Sequence, residues 1–514
     1  MCVGKSTLGP RIAKRLGLPF IDTDAEIERA AGMKIAALIH RDGEAAFRQR
    51  EAALVVPLLE DDTPRVFAFG GGTVTTERVR RLAVDRALVV TLTASPETIV
   101  SRARDLSSRP NLQAIDPISR ARELLDARAS AYAECHLAIA TESVDHDKTI
   151  DEIVRLTERD PLAVALGIRS YRIDVCSGEA GRLSETVAAL RPSSLVLVMD
   201  SNVRRTRGAV VENELAPLGL PIIRVTLAPG ETNKNLGAVS TIWDAAIGTG
   251  VDRDAVVLAV GGGVVGDLGG FAAACLLRGV RFVQVPTTTL AMVDASIGGK
   301  TGCDHAVGKN LIGAFHQPSA VVVDLAHLET LPVRELRSGL AEIVKVALAT
   351  DAELLSQLEH SAARLARGEP EALRPVIRAA IRAKARIVCD DEREAGIRAL
   401  LNFGHTVGHA LEVSGGYTRW RHGEAVALGM LAEMQATASM GWTPPGLVGR
   451  VRTLLQELGL PTDFTRDELS FAWPHVLGDK KRVRDAVKLP VVRGEGLASI
   501  VQVRLDELRG AVLS

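Results

Sequence analysis

The sequence VVLAVGGGVVGD occupies residues 256–267. Its first five residues are apolar and mostly β-branched, which predicts a buried strand, and glycines follow at once where that strand would turn into a helix. Glycines at a strand-to-helix turn let the backbone approach a pyrophosphate, and the start of a helix adds a partial positive charge. The stretch is not the GxGxxG fingerprint, so it predicts an α/β fold with a candidate nucleotide site and no particular class of dehydrogenase.

Short apolar runs and helical segments alternate on both sides of this stretch. Strands are predicted at 194–199, 222–226, 255–260 and 281–285, so we predict an α/β domain over residues 170–333. After residue 332 the pattern takes on the 3.6-residue periodicity of helices, at 337–349, 371–388 and 423–440. We therefore predict an all-helical domain over residues 334–514.

The first part of the chain shows its own alternation. Strand-like runs at 66–69 and 87–92 lie between amphipathic, arginine-rich segments, which predicts a separate α/β lobe with a parallel sheet over residues 1–157. The pattern relaxes near residue 160, where a proline appears. We therefore place a short linker at 158–169.

The overall composition limits the classes of function. A chain of 514 residues is too long for one hydrophobic core, and its net charge of −1 gives no basic field for nucleic acid. The six cysteines include no CxxC pair, which argues against a disulfide framework and is typical of a reducing cytosol. Charged residues interrupt every apolar run near the start. We predict a cytoplasmic protein that acts on small molecules and has no nucleic-acid or membrane partner.

The chain begins with the end of a phosphate-loop motif. Gly4, Lys5, Ser6 and Thr7 follow directly on the first residues, and a helix-like segment continues to residue 16. In such loops backbone N–H groups and the lysine hold phosphates, and the serine binds magnesium. The complete motif needs a glycine six positions before the lysine, preceded by a strand, and both would lie upstream of Met1.

Histidines and a carboxylate suggest a metal site in the helical part. The segment LNFGHTVGH at 401–409 places His405 and His409 four residues apart, on one face if the segment is helical. His422 begins a second helix-like stretch, and Glu342 lies near the start of an earlier one. Two histidines and one carboxylate form a normal catalytic zinc set with positions left for a substrate. The spacing does not decide which of the three histidines bind.

Two lysine-containing turns suggest an anion site. GGKTG at 298–302 is followed by GKN at 308–310, which brings two lysines, an asparagine and several glycines into a short span. Lysine side chains and exposed backbone N–H groups are typical of phosphate-binding turns.

Ordered motifs over about residues 171–502 resemble 3-dehydroquinate synthase. They are PGE with Lys234, GGGVVGD, QVPTT, GGKTG, GKN, LP-x-RE-x-x-x-G-x-AE-x-x-K, LNFGHT-x-GHA-x-E and HGEAVA. The resemblance implies conversion of 3-deoxy-D-arabino-heptulosonate 7-phosphate to 3-dehydroquinate and phosphate, with catalytic NAD and with Zn2+ or Co2+. It also implies a homodimer formed through this part of the chain.

The same resemblance implies roles for particular residues. Zinc would be held by Glu342, His405 and His422, with His409 near the substrate. NAD would contact Asp200, Asn202, Glu231, Lys234, Gly262, Gly263, Asp267, Thr287, Thr288 and Thr330. The catalytic and substrate-binding residues would be Asp294, Lys300, Lys309, Asn310, Lys345, Lys384, Arg398, Asn402 and His409. Arg278 would reach the site of a neighbouring subunit, and the loop 479–481 would add a phosphate contact.

The first 155 residues resemble shikimate kinase. After the phosphate loop come FIDTD at 20–24, FR at 47–48, GGG at 70–72, RP at 109–110 and Arg128. The resemblance implies transfer of phosphate from ATP to shikimate, with Mg2+ near Ser6 and Asp22. ATP would contact Gly4, Lys5, Ser6, Thr7 and the lid residue Arg109. Shikimate would contact Asp24, Arg48, Gly70, Gly71, Gly72 and Arg128.

Three interpretations remain open at this point. The chain is a bifunctional enzyme, or a synthase whose first lobe is an inactive structural module, or an NAD-dependent polyol dehydrogenase of related architecture. The lysines of GGKTG and GKN favour phosphate chemistry over the dehydrogenase. Because Met1 falls inside the phosphate loop, we expect this chain to be an active synthase with a weak or inactive kinase. We expect the missing strand to be encoded upstream.

Overall fold

The computed structural model describes residues 3–103, 112, 115–142, 145–476, 482–483 and 485–513. The chain divides into two compact units, residues 1–174 and 175–514. Within the described residues, no helix combines the length and the apolar character needed to cross a membrane.

The first unit alternates helices and short strands, as predicted. Its elements are α1 Lys5–Leu16, β1 Phe20–Asp22, α2 Thr23–Ala31, α3 Ile35–Asp42, α4 Glu44–Glu60, β2 Val66–Ala68, α5 Glu77–Arg86, β3 Val90–Thr93, α6 Pro96–Arg102, α7 Pro117–Ala133, β4 Leu137–Ala140, α8 His146–Arg159 and β5 Leu162–Val164. Residues 158–169, predicted to be a linker, contain the end of α8 and strand β5. The chain passes from the first unit to the second within β6, Tyr171–Cys176.

Parallel strand pairs form the core of the first unit. β1 pairs with β2, and β3 pairs with β4, both in parallel. Leu8 and Ile12 of α1 are buried against Ile139 of β4 and against Ile150 and Ile153 of α8. This packing fixes α1, and with it the phosphate-loop residues at its start.

The second unit begins with a doubly wound α/β domain. Its elements are α9 Arg182–Ala189, β7 Leu195–Asp200, α10 Ser201–Leu215, β8 Ile222–Leu227, α11 Leu236–Gly248, β9 Val256–Gly261, α12 Gly263–Cys275, β10 Arg281–Pro286, β11 Lys300–His305, β12 Gly308–Phe315 and β13 Ala320–Asp324. Five parallel strands are ordered β8-β7-β9-β10-β13. β11 and β12 form a separate antiparallel hairpin.

Helices cover both faces of this sheet, which explains the uninterrupted apolar runs of its central strands. Val257 and Ala259 of β9 pack with α11 and α12 on one face. Val256, Leu258 and Val260 pack with α9 and α10 on the other face. All five side chains are at most 2% exposed. The strand of the VVLAVGGGVVGD stretch therefore lies at the centre of the domain.

The rest of the second unit is mainly helical. Its elements are α13 Val333–Thr350, α14 Ala352–Ala366, α15 Pro370–Asp390, α16 His405–Ser414, α17 His422–Ser439, α18 Pro445–Glu457, α19 Arg466–Val476, β14 Arg482–Val483, β15 Ala486–Gly494, β16 Leu497–Arg504 and α20 Leu505–Val512. The predicted fold class is confirmed, with one addition. Strands β14–β16 form an antiparallel sheet that the sequence analysis did not predict.

Candidate active sites

The glycine turn lies where the strand order of the sheet reverses. The chain runs from β7 outward to β8 and then returns to β9 on the other side of β7. Asp200 ends β7, and Gly261 ends β9. Crevices at such reversals, outside the carboxyl ends of parallel strands, are where open α/β sheets bind their ligands. Gly262 precedes α12 directly, so the free N–H groups of that helix face the same crevice.

A buried ion pair joins the glycine-turn helix to the loop that follows β8. Lys234 Nζ lies 2.5 Å from an oxygen of Asp267 and donates to Asn310 Oδ1 at 2.6 Å. Burial raises the pKa of the Asp267 carboxyl to about 6, although the neighbouring Lys234 ammonium acts in the opposite direction. Lys234 thus connects α12 with strand β12, whose first three residues are the GKN segment; the segment predicted to be a turn is therefore part of the hairpin strand.

Asp294 connects the glycine turn to the helical domain. A Cβ added to Gly263 would lie 3.3 Å from Ala295 Cβ, so the loop after β10 packs closely on the start of α12. Lys384 Nζ from α15 donates to the backbone oxygen of Asp294 at 2.5 Å and also contacts its carboxylate. Burial disfavours the ionised Asp294, but the charges of Lys384 and Lys345 outweigh that effect and hold its pKa well below the usual range.

Close helix packing brings the candidate metal ligands together. A Cβ on Gly423 would lie 1.7 Å from the carbonyl oxygen of Ser338, and a Cβ on Gly429 would lie 2.0 Å from that of Gly404. Any side chain at either position would therefore separate α17 from α13 or from the start of α16. Because both positions are glycine, the residues at the starts of α16 and α17 reach the middle of α13.

Glu342, His405 and His422 form a compact cluster at that point. Each offers a ligand atom, and these atoms lie within 4.8 Å of one another. The Nε2 atoms of His405 and His422 are 3.8 and 3.4 Å from Glu342 Oε1. Glu342 is fully buried, and neither of its oxygens accepts a hydrogen bond of normal geometry from the described residues, although Lys345 pairs with it. A buried carboxylate beside two imidazoles fits a divalent cation.

His409 lies beside this cluster rather than within it. Its ring centroid is 5.0 Å from that of His405, which confirms that the two histidines share one face of α16. A second group of possible ligands comprises His409, Glu412 and His422. His422 Nδ1 is 3.1 Å from Glu412 Oε2. Burial raises the pKa of Glu412, but the hydrogen bond from His422 and the nearby Lys309 lower it to about 2.

Several predicted substrate residues meet around Glu394, which the sequence analysis did not single out. Asn402 Nδ2 donates to Glu394 Oε1 at 2.7 Å, and Lys300 pairs with the other carboxylate oxygen. Glu394 has a positive φ of 59°, which non-glycine residues rarely adopt. The only feature of the sequence that pointed to Glu394 was its place among the charged residues before LNFGH. Arg398 is buried and donates to the carbonyl oxygen of Gly298, in the GGKTG turn.

Most of the remaining predicted residues of the second unit lie at or after strand ends of the sheet, and Lys309 lies in β12. Asp200 caps α10 by accepting from the N–H groups of Asn202 and Val203. Thr287 N donates to Gly261 O at 2.9 Å, and Thr288 Oγ1 accepts from Ala291 N. Lys309 lies 3.6 Å from Glu231 and 3.7 Å from Glu412. Thr330 ends a short helix after β13, with its hydroxyl on His327 O. The loop 479–481 is outside the described residues.

The first unit brings together its predicted phosphate-side residues. Gly4 has φ 95° and directly precedes α1, whose first residues are Lys5, Ser6 and Thr7. Ser6 Oγ donates to Asp22 Oδ2 at 3.4 Å. A hydroxyl and a carboxylate at the start of this helix are the ligand types that Mg2+ uses beside nucleotide phosphates. Arg109 lies outside the described residues.

The predicted shikimate residues converge on the triple glycine. Arg128 Nη1 donates to Gly71 O at 3.2 Å. A Cβ on Gly72 would lie 2.1 Å from Arg48 Nη2, and a Cβ on Gly70 would lie 2.5 Å from an oxygen of Asp24. The glycines therefore allow two guanidinium groups and a carboxylate to approach the same short segment. Arg48 is held there by Glu51 and Glu44, at 2.6 and 3.2 Å.

The fold and these sites define an enzyme in which a crevice at the end of a parallel sheet faces a metal-ligand cluster on helices, preceded by a phosphate-loop unit. Family models match in the same order: shikimate kinase over residues 1–158, 3-dehydroquinate synthase N-terminal over 224–338 and 3-dehydroquinate synthase C-terminal over 339–482. The chain belongs to the 3-dehydroquinate synthase family and carries a shikimate kinase domain before it, as a fused enzyme of the shikimate pathway.

Individual relatives agree with this assignment. A 3-dehydroquinate synthase from Citrifermentans bemidjiense is 41% identical over 358 residues, which are 69% of this chain and 97% of that protein. The structure of 2-epi-5-epi-valiolone synthase from Streptomyces hygroscopicus, with NAD+ and Zn2+ bound, is 32% identical over 67% of this chain and 96% of that one, with TM-score 0.59. A 2-deoxy-scyllo-inosose synthase complex with carbaglucose-6-phosphate, NAD+ and Co2+ shares the fold at 24% identity and TM-score 0.62, over 68% and 99% of the chains.

Proposed function

We propose that the second unit converts 3-deoxy-D-arabino-heptulosonate 7-phosphate to 3-dehydroquinate and phosphate, with NAD in the glycine-turn crevice and Zn2+ or Co2+ on Glu342, His405 and His422. The observation that carries this proposal is the position of Asp294. It lies in the segment after β10 that packs on Gly263, and it is bound by Lys384 of the helical domain. One substrate molecule in this place would touch the nicotinamide, the metal and the lysines together.

The residues of the chain provide the binding for each group. The free N–H groups at the start of α12 would hold the dinucleotide pyrophosphate. The buried lysines Lys345 and Lys384, with Lys300 at the GGKTG turn, would neutralise a substrate that is anionic at both ends. His409, beside the cluster, would contact the substrate rather than the metal.

The chemistry divides between the bound groups and the protein. NAD would take a hydride from a ring carbon and later return it, while the metal ion would polarise the hydroxyl on that carbon. A ketone at this carbon would make the neighbouring C–H acidic, so that a base could take the proton while phosphate leaves with the electron pair of its C–O bond. Return of the hydride, ring opening and aldol closure would then give the product with no net redox change. The part of the protein's own residues would be to position the substrate and to stabilise its charge.

Removal of the metal tests this proposal. Dialysis of the whole chain against a chelator should abolish formation of 3-dehydroquinate from the heptulosonate phosphate, because Glu342 and the two imidazoles alone cannot polarise the hydroxyl. Addition of Zn2+ or Co2+ should restore it, while Mg2+ should not, since Mg2+ prefers an all-oxygen octahedral set. Unchanged product formation in the chelated protein would refute the proposed use of the metal.

The substrate affinity of the second unit should depend on pH through Lys384. Burial, with the nearby Arg398 and Lys345 charges, lowers the pKa of Lys384 to about 8, despite its pairing with Asp294. Lys384 is therefore a cation below about pH 8 and becomes neutral above it, whereas the phosphate is already ionised at pH 7. Calorimetry should show weaker substrate binding at pH 9 than at pH 7. Lys384→Arg should remove this loss, and a parallel loss in both proteins would assign it to another group.

We propose that the first unit binds ATP with Mg2+ at Lys5, Ser6 and Asp22, and shikimate at Asp24, Arg48, Arg128 and the triple glycine. Two guanidinium groups close to one segment are a normal arrangement for a carboxylate ligand. Shikimate carries a single carboxylate beside its hydroxyls, so Asp24 would accept from a hydroxyl.

Shikimate binding provides a test that does not depend on phosphate transfer. Replacing Arg128 by methionine should weaken binding roughly tenfold to a hundredfold, as the loss of a hydrogen bond to a charged group generally does. Arg122 lies on the same helix, is exposed and pairs with Glu97, so Arg122→Met is a matched control that should bind normally. Calorimetric titration with shikimate measures both. Equal shikimate affinities of the two variants would show that Arg128 does not bind shikimate.

We also propose a cytoplasmic homodimer formed through the second unit, with Arg278 directed to the neighbouring site. Leu277 and Arg278 both have positive φ, 49° and 68°, and both are exposed. A left-handed conformation at a non-glycine residue lowers the stability of the fold by about 1–3 kcal/mol. It is kept only where the surrounding structure enforces it, often at functional sites. Sedimentation analysis of the whole chain tests the dimer.

A further inference from the structure

We infer that Glu412 is a positioning residue of the metal site, which fixes the ring of His422 and connects it to Lys309. This inference rests on the proposed metal set. The two ring nitrogens of His422 contact different carboxylates. Nε2 lies 3.4 Å from Glu342 Oε1, and Nδ1 lies 3.1 Å from Glu412 Oε2. Glu412 is itself only 5% exposed.

The contact determines which nitrogen of His422 carries the proton. An ionised carboxylate only accepts hydrogen bonds, so Nδ1 must donate and the lone pair of Nε2 is left for a metal ion. His405 reaches the same state differently, since its Nδ1 lies 3.0 Å from the backbone oxygen of Phe403. A carboxylate partner also makes an imidazole a stronger ligand than a neutral carbonyl does. His422 is thus the ligand that depends on a charged side chain.

Glu412 also contacts strand β12, which begins with the GKN segment. Its second oxygen lies 3.7 Å from Lys309 Nζ, and Lys309 packs 4.1 Å above the ring of Tyr417. One carboxylate therefore holds a metal-site imidazole and a proposed substrate lysine. Its loss should weaken metal binding and raise the KM for the substrate together, whereas loss of Lys309 alone should raise only the KM.

Glu412 could instead be a ligand, since it also forms a possible group with His409 and His422. The structure favours the positioning role. The oxygen of Glu412 lies at hydrogen-bond distance from Nδ1, on the opposite side of the ring from the buried Glu342. In addition, the group that includes Glu412 contains the exposed His409, whereas Glu342 and His405 of the other group are both buried, as the ligands of an enclosed metal site are.

Cobalt titration of the metal-free whole chain distinguishes these roles without measuring activity. Glu412→Ala should bind Co2+ about 10–100-fold more weakly, which is the usual effect of losing an outer partner of a metal-bound histidine. Glu412→Gln should recover most of the affinity, because its amide oxygen still accepts from Nδ1. Glu424 is a buried carboxylate that pairs with Arg334 near the start of the same helix as His422, so Glu424→Gln is a matched control with unchanged cobalt affinity.

Two outcomes would overturn the inference. Glu412→Ala with normal cobalt affinity would show that the carboxylate does not position His422. Complete loss of cobalt in Glu412→Ala, together with retention in Glu342→Ala, would make Glu412 a ligand. If Glu412→Ala fails to fold, Glu412→Met, which fills the same space without an acceptor, should show the weaker cobalt binding, and normal cobalt affinity in that variant would overturn the inference; Lys309→Met shows the KM effect alone. A wild-type chain that binds cobalt normally but forms no 3-dehydroquinate would refute the proposed function and leave the role of Glu412 intact.

Discussion

Replacing Glu342 by glutamine should leave the chain folded but without bound metal and without formation of 3-dehydroquinate. Glutamine has the same shape, so the packing of α13 against α16 and α17 is retained. Its neutral amide oxygen is a poor ligand beside two imidazoles, and the loss of affinity should exceed the roughly 10–100-fold effect of losing an outer partner. Metal content after gel filtration and a thermal unfolding curve check both parts of this expectation.

His409→Ala is the matched control for the metal set. His409 lies on the same face of α16 as His405, and their ring centroids are 5.0 Å apart. We expect the variant to retain its metal and to lose turnover, because His409 would serve the substrate. An empty site in His409→Ala with a filled site in Glu342→Gln would contradict the assignment and favour the group that includes Glu412.

Replacing Lys345 by methionine should greatly weaken substrate binding and leave NAD binding almost unchanged. Lys345 is 1% exposed and pairs with Glu342, one turn earlier on α13. In the proposed complex Lys345 also faces the substrate anion, and truncating one partner of such a buried charge pair costs about 2–5 kcal/mol of binding, roughly a 30-fold to several-thousand-fold loss of affinity. NAD should be little affected, because its proposed contacts lie at or after strand ends of the α/β domain and none of them is on α13.

Calorimetry with each ligand separately measures this difference. Lys488→Met, which removes a positive charge from the exposed face of β15 in the same unit, controls for net charge and should bind both ligands normally. If Lys345→Met lowers the affinity for NAD as much as that for the substrate, Lys345 acts on the whole site and has no specific role with the substrate anion.

Local patterns in the sequence were enough to predict the main features of the fold. The apolar run before Gly261 predicted the buried strand β9, and the spacing of His405 and His409 predicted a shared helical face. The hairpin β15–β16 was missed although it leaves a signal. Val487, Leu489 and Val491 alternate with other residues and are each at most 1% exposed, and a Gly-Glu-Gly turn follows.

Other features depend on contacts between distant parts of the chain. Glu394 pairs with Lys300, 94 positions earlier, and nothing in the local sequence distinguishes it from its charged neighbours. The proposed role of Glu412 likewise depends on the close packing of α17 against α16, which the glycine at 429 permits. The individual ligand and substrate roles proposed from the resemblance remain predictions until the variants above are measured.

Phosphate release and NADH absorbance, followed in the same reaction with the whole chain, NAD, Zn2+ and the heptulosonate phosphate, distinguish a synthase from a dehydrogenase. A synthase that returns its hydride should release one phosphate for each 3-dehydroquinate formed, while NADH stays at or below the concentration of enzyme. Accumulation of NADH in proportion to the substrate consumed, without phosphate release, would show a dehydrogenase and contradict the account.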